Sequence, residues 1–224
     1  MINKILYLDD GLGAIMSCEE FKKHLSCNYD LLVDNVNYPY SLRSGLKNHL
    51  NKAIDLFDFE YILTTNPALA LCLDKKNLID GLNSFYGLLK SKDLVITNKR
   101  FKNHLEKERK DIRVIDGQLL SNQIQIFTSP IYIIDNILKS YIGDEDNIYF
   151  MDTNFYIVKD YIEKLYPYRN LVFIQDLIID QLKEKKSLSK GRIKRYLTGY
   201  RRSVYLNLEE KYKASFIDIK ELRF

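Results

Sequence analysis

A chain of 224 residues, 46% hydrophobic and 29% charged, is long enough for one large domain or two small ones with a sizeable core. No apolar run approaches the ~20 residues of a membrane span, and a net charge of +4 is too mild to name a partner. MINKILYLDD reaches acidic residues too soon for a secretory signal, and Cys18, Cys27 and Cys72 have neither disulfide-framework nor metal-knuckle spacing, so a cytoplasmic protein with reduced thiols is expected.

NKILYLD reads as a strand. SCEEFKKHL reads as a helix with Ser17 as N-cap and Glu20 three residues on, a capping box. YDLLVD is a strand, and SLRSGLKNHLNKAIDLF carries apolar residues at helical spacing. FEYILTTN is a strand leading into a helix over PALALCLDKK, with Pro67 in its first turn, where a missing N–H costs nothing. DGLNSFYGLLKS is a further helix. DLVITN, DIRVID, NIYFMD and NLVFIQD repeat the strand pattern between helical stretches. The tail reads strand, helix, strand over IKRYLTG, SVYLNLEEKYK and ASFIDIKEL.

Alternating apolar strands and helices predict an α/β fold with parallel sheets flanked by helices. The strands end in Asp9, Asp34, Thr65, Asn66, Thr97, Asp116 and Asp152, at the carboxyl edge where open α/β sheets bind ligands. No G-x-x-x-x-G-K-S loop is present, and D-D-G-L-G-A lacks the third glycine and the later acidic residue of a dinucleotide fingerprint. No cofactor is expected. A domain break is expected between Lys90 and Asp93.

Five motifs in chain order resemble the glutamate racemases of the aspartate/glutamate racemase superfamily. L-D-D-G-L-G-A (Leu8 to Ala14) resembles their D-S-G-x-G-G, and D-N-V-N-Y-P-Y-S-L-R-S (Asp34 to Ser44) their D-x-x-x-x-P-Y-G-x-K/R-S. I-L-T-T-N-P-A-L-A (Ile62 to Ala70) is similar to their strand followed by A-C-N-T-A-S-A. F-M-D-T-N-F-Y-I-V (Phe150 to Val158) stands where the family has L-G-C-T-H-Y-P-L-L, and R-Y-L-T-G (Arg195 to Gly199) is similar to a C-terminal T-G segment. The resemblance implies two pseudo-symmetric α/β domains with a cleft between them: residues 1–91 plus 196–224, and residues 92–195. It also implies a homodimer.

The family works with two cysteine thiolates on opposite faces of the substrate α-carbon, as inversion requires. The resemblance carries those positions to Thr65 and Asp152, neither of which is a thiol. A threonine hydroxyl is no base near neutral pH without an activator. The serine of D-S-G is Asp10, the threonine of C-N-T is Pro67 and the histidine of C-T-H is Asn154. The segment opening the second domain is T-N-K-R-F (Thr97 to Phe101). A carboxylate at Asp10 repels a substrate carboxylate unless protonated or turned away. By motif position, Asp9, Thr65 and Asp152 are the candidate catalytic residues. Asp10, Pro39, Tyr40, Ser41, Asn66, Thr153 and Asn154 are the candidate substrate-binding residues.

The resemblance therefore implies a divergent member without the two-thiol machinery, binding a small acid or a protein partner. One alternative keeps an isomerase or related enzyme, with Asp9 and Asp152 as acid and base. No metal is assigned, although clustered carboxylates with Asn66 and Asn154 offer oxygen ligands of the kind Mg²⁺ takes. Strand-end aspartates that merely cap the next helix explain Asp9 and Asp152 equally well. D-T-N after an apolar strand also resembles the opening of metal-dependent PIN-domain nucleases. Lys183 to Arg202 holds nine Lys/Arg and one Glu with Tyr196 and Tyr200 between them, a weak hint of nucleic acid beside the simpler reading of a solvated loop. His24, His49 and His104 lie in amphipathic segments without metal-ligand spacing and are expected at the surface. Cys72 is expected as a small core residue inside its helix.

Overall fold

The computed structural model describes residues 2–34, 38–73, 76–125, 129–187, 191–198 and 217–218. Strands β1 (Lys4–Asp9), β2 (Asn28–Val33), β3 (Tyr61–Leu63) and β4 (Leu78–Ile79) alternate with helices α1 (Gly13–His24), α2 (Leu46–Ile54) and α3 (Pro67–Ala70). Helix α4 (Leu82–Leu88) leads to β5 (Leu94–Thr97), α5 (Lys99–Glu108), β6 (Arg113–Asp116), α6 (Gln118–Gln125) and α7 (Ile131–Tyr141). Then come β7 (Asn147–Met151), α8 (Lys159–Leu165), β8 (Asn170–Phe173), α9 (Ile174–Lys183), β9 (Ile193–Leu197) and β10 (Ile217–Asp218).

Every named strand pairing is parallel. One sheet has the order β10-β9-β2-β1-β3-β4 and the other β6-β5-β7-β8, the expected α/β class with helices covering the sheets. β9 pairs with β2 from Ile193 onward, three residues before the boundary expected from the sequence. The helix expected over SVYLNLEEKYK, together with Gly199 and Tyr200, lies outside the described residues.

Strand alternation divides the core. Ile5 and Tyr7 face one cluster, while Leu6 and Leu8 face another, as a period of two requires. The first cluster continues into Val95, Tyr149 and Met151 of the second sheet, so the two sheets share one apolar interior. Tyr7 and Tyr29 are fully buried. Each finds a partner for its hydroxyl, Tyr29 donating to Leu25 O at 3.0 Å, as buried phenols require.

Helix α1 starts five residues earlier than the capping signal predicts, with Leu12 rather than Ser17 at its N-cap. Ser17 sits inside it and donates back to Gly13 O at 3.0 Å, while Glu20 pairs with Lys23 instead of a backbone N–H. Helix α3 ends at Ala70, so Cys72 lies past it and is only half-buried, with Arg100 Nη1 3.8 Å from its sulfur.

Candidate functional site

The polar strand ends meet where the two sheets face each other. Asp9 closes β1 and is wholly buried. Its Oδ1 accepts from Asp10 N at 2.9 Å and Gly11 N at 3.3 Å, and its Oδ2 from Thr65 N at 3.3 Å. Two hydroxyls complete its shell: Thr65 Oγ1 at 2.8 Å and Thr153 Oγ1 at 2.9 Å. Tyr7 Oη lies 2.7 Å from Thr65 Oγ1. Burial raises the pKa of Asp9, and these hydrogen bonds oppose the rise.

Asp10 is held by Tyr40 N and by Asn66 Nδ2, the latter at 2.6 Å. Burial, then the charge of Asp9, raises its carboxyl well above the ordinary range. Asn66 caps α3, its Oδ1 accepting from Ala68 N at 2.9 Å and from Asn98 Nδ2 at 3.3 Å. Asn98 caps α5 through Phe101 N at 3.1 Å. The two caps repeat one strand–Asn–helix junction in the two sheets and touch across the cleft.

Asp152 follows β7 and is 8% exposed. Its Oδ1 accepts from Asn154 N at 3.0 Å and Ser121 Oγ at 2.9 Å. Burial raises its pKa to about 6, against those two bonds. Asn154 Oδ1 accepts from Gly13 N at 3.0 Å, and its Nδ2 donates to Ser121 Oγ and Gln125 Oε1 at 3.0 and 2.8 Å. A side chain from the second sheet thus receives the first turn of α1. Gln175, from α9, donates to Thr153 O at 3.0 Å and fixes the same turn.

The mouth is closed by direct contacts. Tyr38 Oη donates to Asn122 Oδ1 at 2.7 Å, Ser41 Oγ to Gln118 Oε1 at 2.9 Å and Gln118 Nε2 to Tyr38 Oη at 3.1 Å. The remaining cavity is ≈ 10 Å³ and is bordered by Asp10, Pro39, Ser41, Asn66, Thr153 and Asn154 from the expected set, together with Asp152. A volume of about 10–15 Å³ is what one water occupies. Neither Lys, Arg nor His borders it.

Asp9 and Thr65 lie behind this wall rather than on it. Tyr40 is turned away, its ring in the first sheet's outer cluster and its hydroxyl donating to Asp34 Oδ2 at 2.7 Å. Asp34 also pairs with His49 and accepts from Thr198 Oγ1 at 2.6 Å. Burial alone would raise its pKa, but those bonds outweigh it and hold it below the usual value. His49 is therefore not the surface residue expected: its side chain is only 11% exposed. The sequence reading also missed Tyr38, Gln118 and Ser121, for which no motif gives a signal. Asn98 had one, as a polar residue directly after a strand.

The thiols are elsewhere. Cys18 and Cys27 are buried in the apolar core, and burial raises both, Cys27 to about 11. Among the described residues no three His, Cys, Asp or Glu side chains are grouped to hold a metal ion. No described helix is long and apolar enough to cross a membrane. Part of the basic stretch is engaged within the fold, Arg195 with Glu19 and Lys183 with Asp180.

No family model matches the sequence, and no curated protein matches it. Solved structures do. Glutamate racemase from Thermus thermophilus in complex with β-chloro-D-alanine superposes with a TM-score of 0.76 at 14% identity, covering 99% of this chain and 98% of that one. Glutamate racemase from Francisella tularensis in complex with D-glutamate gives 0.72 at 15% identity, with 97% of each chain covered. The Campylobacter jejuni enzyme gives 0.72 at 16%, covering 92% of this chain and 97% of that one. Coverage from end to end in these alignments supersedes the nuclease resemblance, which needs a domain opening near Asp152. The chain has the glutamate racemase fold.

Proposed function

We propose that this chain is a divergent racemase-fold protein that binds through its cleft and does not racemise an amino acid by two opposed bases. The observation that carries this reading is the state of Thr65. It stands at the motif position of the first thiol, and its hydroxyl is engaged by Asp9, Tyr7 and Thr153 within 3.0 Å. Two-base inversion needs a free group on each face of an α-carbon. A space of ≈ 10 Å³ also falls far short of the roughly 300 Å³ of a small-molecule pocket. In the same reading β1–β4 with β9 and β10 belong to one α/β unit, and β5–β8 to the other.

The test is proton NMR of the protein with L- and D-glutamate and L- and D-aspartate in D₂O. The Cα–H signals are expected to persist for days. Their loss would show that the cleft still abstracts an α-proton.

A second reading keeps Asp152 as a single acid or base. It draws on one observation: a carboxyl raised to about 6 that borders the cavity, near the pKa a general base needs. Asp152→Asn would then abolish any turnover found while leaving the fold intact.

A further inference from the structure

We propose that the groove along the exposed face of α2, outside the cleft, binds a phosphate group, carried by a small ester or as the free ion. Gly45, Asn48, His49 and Lys52 recur at helical spacing and so share one face of α2 and its N-cap. The other face is apolar, with Leu46, Leu50, Ala53 and Ile54 buried in the first sheet's outer cluster. With Arg43 and Ser44 of the preceding loop, the polar face borders a cavity of ≈ 330 Å³. Small-molecule sites start at roughly 300 Å³, and the cleft keeps only ≈ 10 Å³.

The chemistry of the wall selects an anion. Arg43 and Lys52 border the cavity and, among the described residues, no Asp or Glu does. The contrast is the cavity of ≈ 530 Å³ at the amino edge of the second sheet, where Lys92, Lys110 and Arg113 stand among five carboxylates. Arg43, His49 and Lys52 each have a further interaction within the protein. A guanidinium has five N–H donors and an ammonium three, so one partner does not exhaust either. The backbone adds to the same field. Gly45 is the N-cap of α2 at φ 67°, no side chain caps the first turn, and a Cβ on Gly45 would meet nothing within 4 Å. The positive end of the helix therefore opens where Gly45 and Leu46 border the cavity. The loop is also held in place, Arg43 O accepting from Arg100 Nη2 of α5 at 2.5 Å. Two cations and a helix N-terminus suit a phosphate dianion better than a singly charged carboxylate. A phosphate alone fills only part of ≈ 330 Å³, so an ester with a sugar-sized body is expected to bind more tightly than the free ion.

The test is titration calorimetry of the full chain, at constant ionic strength, with glucose 6-phosphate, inorganic phosphate, glucose and sodium glutamate. The two phosphates are expected to bind, and glucose and glutamate are not. Arg43→Gln and Lys52→Gln, both at exposed positions, are each expected to weaken phosphate binding about tenfold, the loss of one charge-assisted contact. Lys110→Gln removes a cation from the other cavity and should leave the affinity unchanged. Tighter binding of the ester assigns the whole cavity to a phosphorylated small molecule; tighter binding of inorganic phosphate assigns the site to the free ion. No binding of either phosphate, equal binding of glutamate, or equal weakening by Lys110→Gln would overturn the proposal. The α-proton experiment on the cleft does not bear on it, so the two readings fail separately.

Discussion

Thr65 Oγ1 lies 3.0 Å from Thr153 Oγ1, and both hydroxyls reach Asp9. The end of β3 in one sheet and the turn after β7 in the other are thereby joined at a single carboxylate, and the floor of the cleft is bonded across. Thr65→Val keeps the shape but removes the hydroxyl, leaving Tyr7 Oη and Asp9 Oδ2 each short of a buried partner. The expected loss is about 1–3 kcal/mol of folding stability, read from urea unfolding. A variant as stable as the parent would mean the network contributes nothing.

Stability should fall as pH rises through the neutral range. Burial raises Asp9, Asp10 and Asp152, the last to about 6. A carboxyl whose folded pKa exceeds its unfolded value favours the fold when protonated. Its contribution is complete below the unfolded value and disappears as pH passes the folded one. From an ordinary value of 3.8 to about 6, Asp152 alone accounts for roughly 3 kcal/mol between pH 4 and pH 8. Asp34 acts in the opposite sense, since its pKa is lowered, but its contribution is lost only below about pH 4. Thermal midpoints at pH 5, 6, 7 and 8 should decline for the parent and decline less for Asp152→Asn. Parallel slopes would remove Asp152 as a source of the effect.

The sequence exposed the carboxyl-edge residues because each follows an apolar strand. Asn66 and Asn98 both sit there and both cap the next helix. It misplaced the start of α1 because its signal was local: Ser17 with Glu20 has the spacing of a capping box, yet the Gly13 N–H is received by Asn154, 141 residues away. Tyr38, Gln118 and Ser121 were invisible for the same reason. Gln118 and Ser121 enter the site because α6 packs against the turn after β7, and Tyr38 because its hydroxyl meets Gln118 and Asn122 of that helix, tertiary relations with no spacing signature. β4 has two residues, too few for alternation to register. His49 lies on an amphipathic helix whose partner, Asp34, comes from the preceding strand.

Two glycine substitutions should move stability in opposite directions. A Cβ on Gly13 would stand 2.4 Å from Thr153 O and 2.9 Å from Asn154 Cα. Both are backbone atoms of the turn that carries the site, so neither yields cheaply. Gly13→Ala should destabilise by about 2 kcal/mol or more, although alanine ordinarily improves a helix. Gly87, inside α4, has nothing within 4 Å of a built Cβ. Gly87→Ala should therefore stabilise by up to about 1 kcal/mol. Chemical unfolding of the pair tests both signs, and a stable Gly13→Ala protein would refute the close approach of α1 to the cleft.

Restoring the two thiols should not restore racemisation. Thr65→Cys with Asp152→Cys puts sulfur at both motif positions, but three obstacles stay in place. Asp10 still stands where the resemblance has a serine, with Asn66 and Tyr40 bonded to it. Asn154 still stands at the histidine position, tied to Gly13, Ser121 and Gln125. The mouth is still closed by Tyr38, Ser41, Gln118 and Asn122, which the double variant leaves untouched. An α-proton must lie between two groups about 3–3.5 Å away to be exchanged, and a cleft closed to ≈ 10 Å³ does not admit the α-carbon that carries it. The double variant is therefore expected to leave the Cα–H signals of L- and D-glutamate unchanged in D₂O. Exchange would mean that the cleft opens in solution and that the identity of two side chains alone separates this chain from an active racemase.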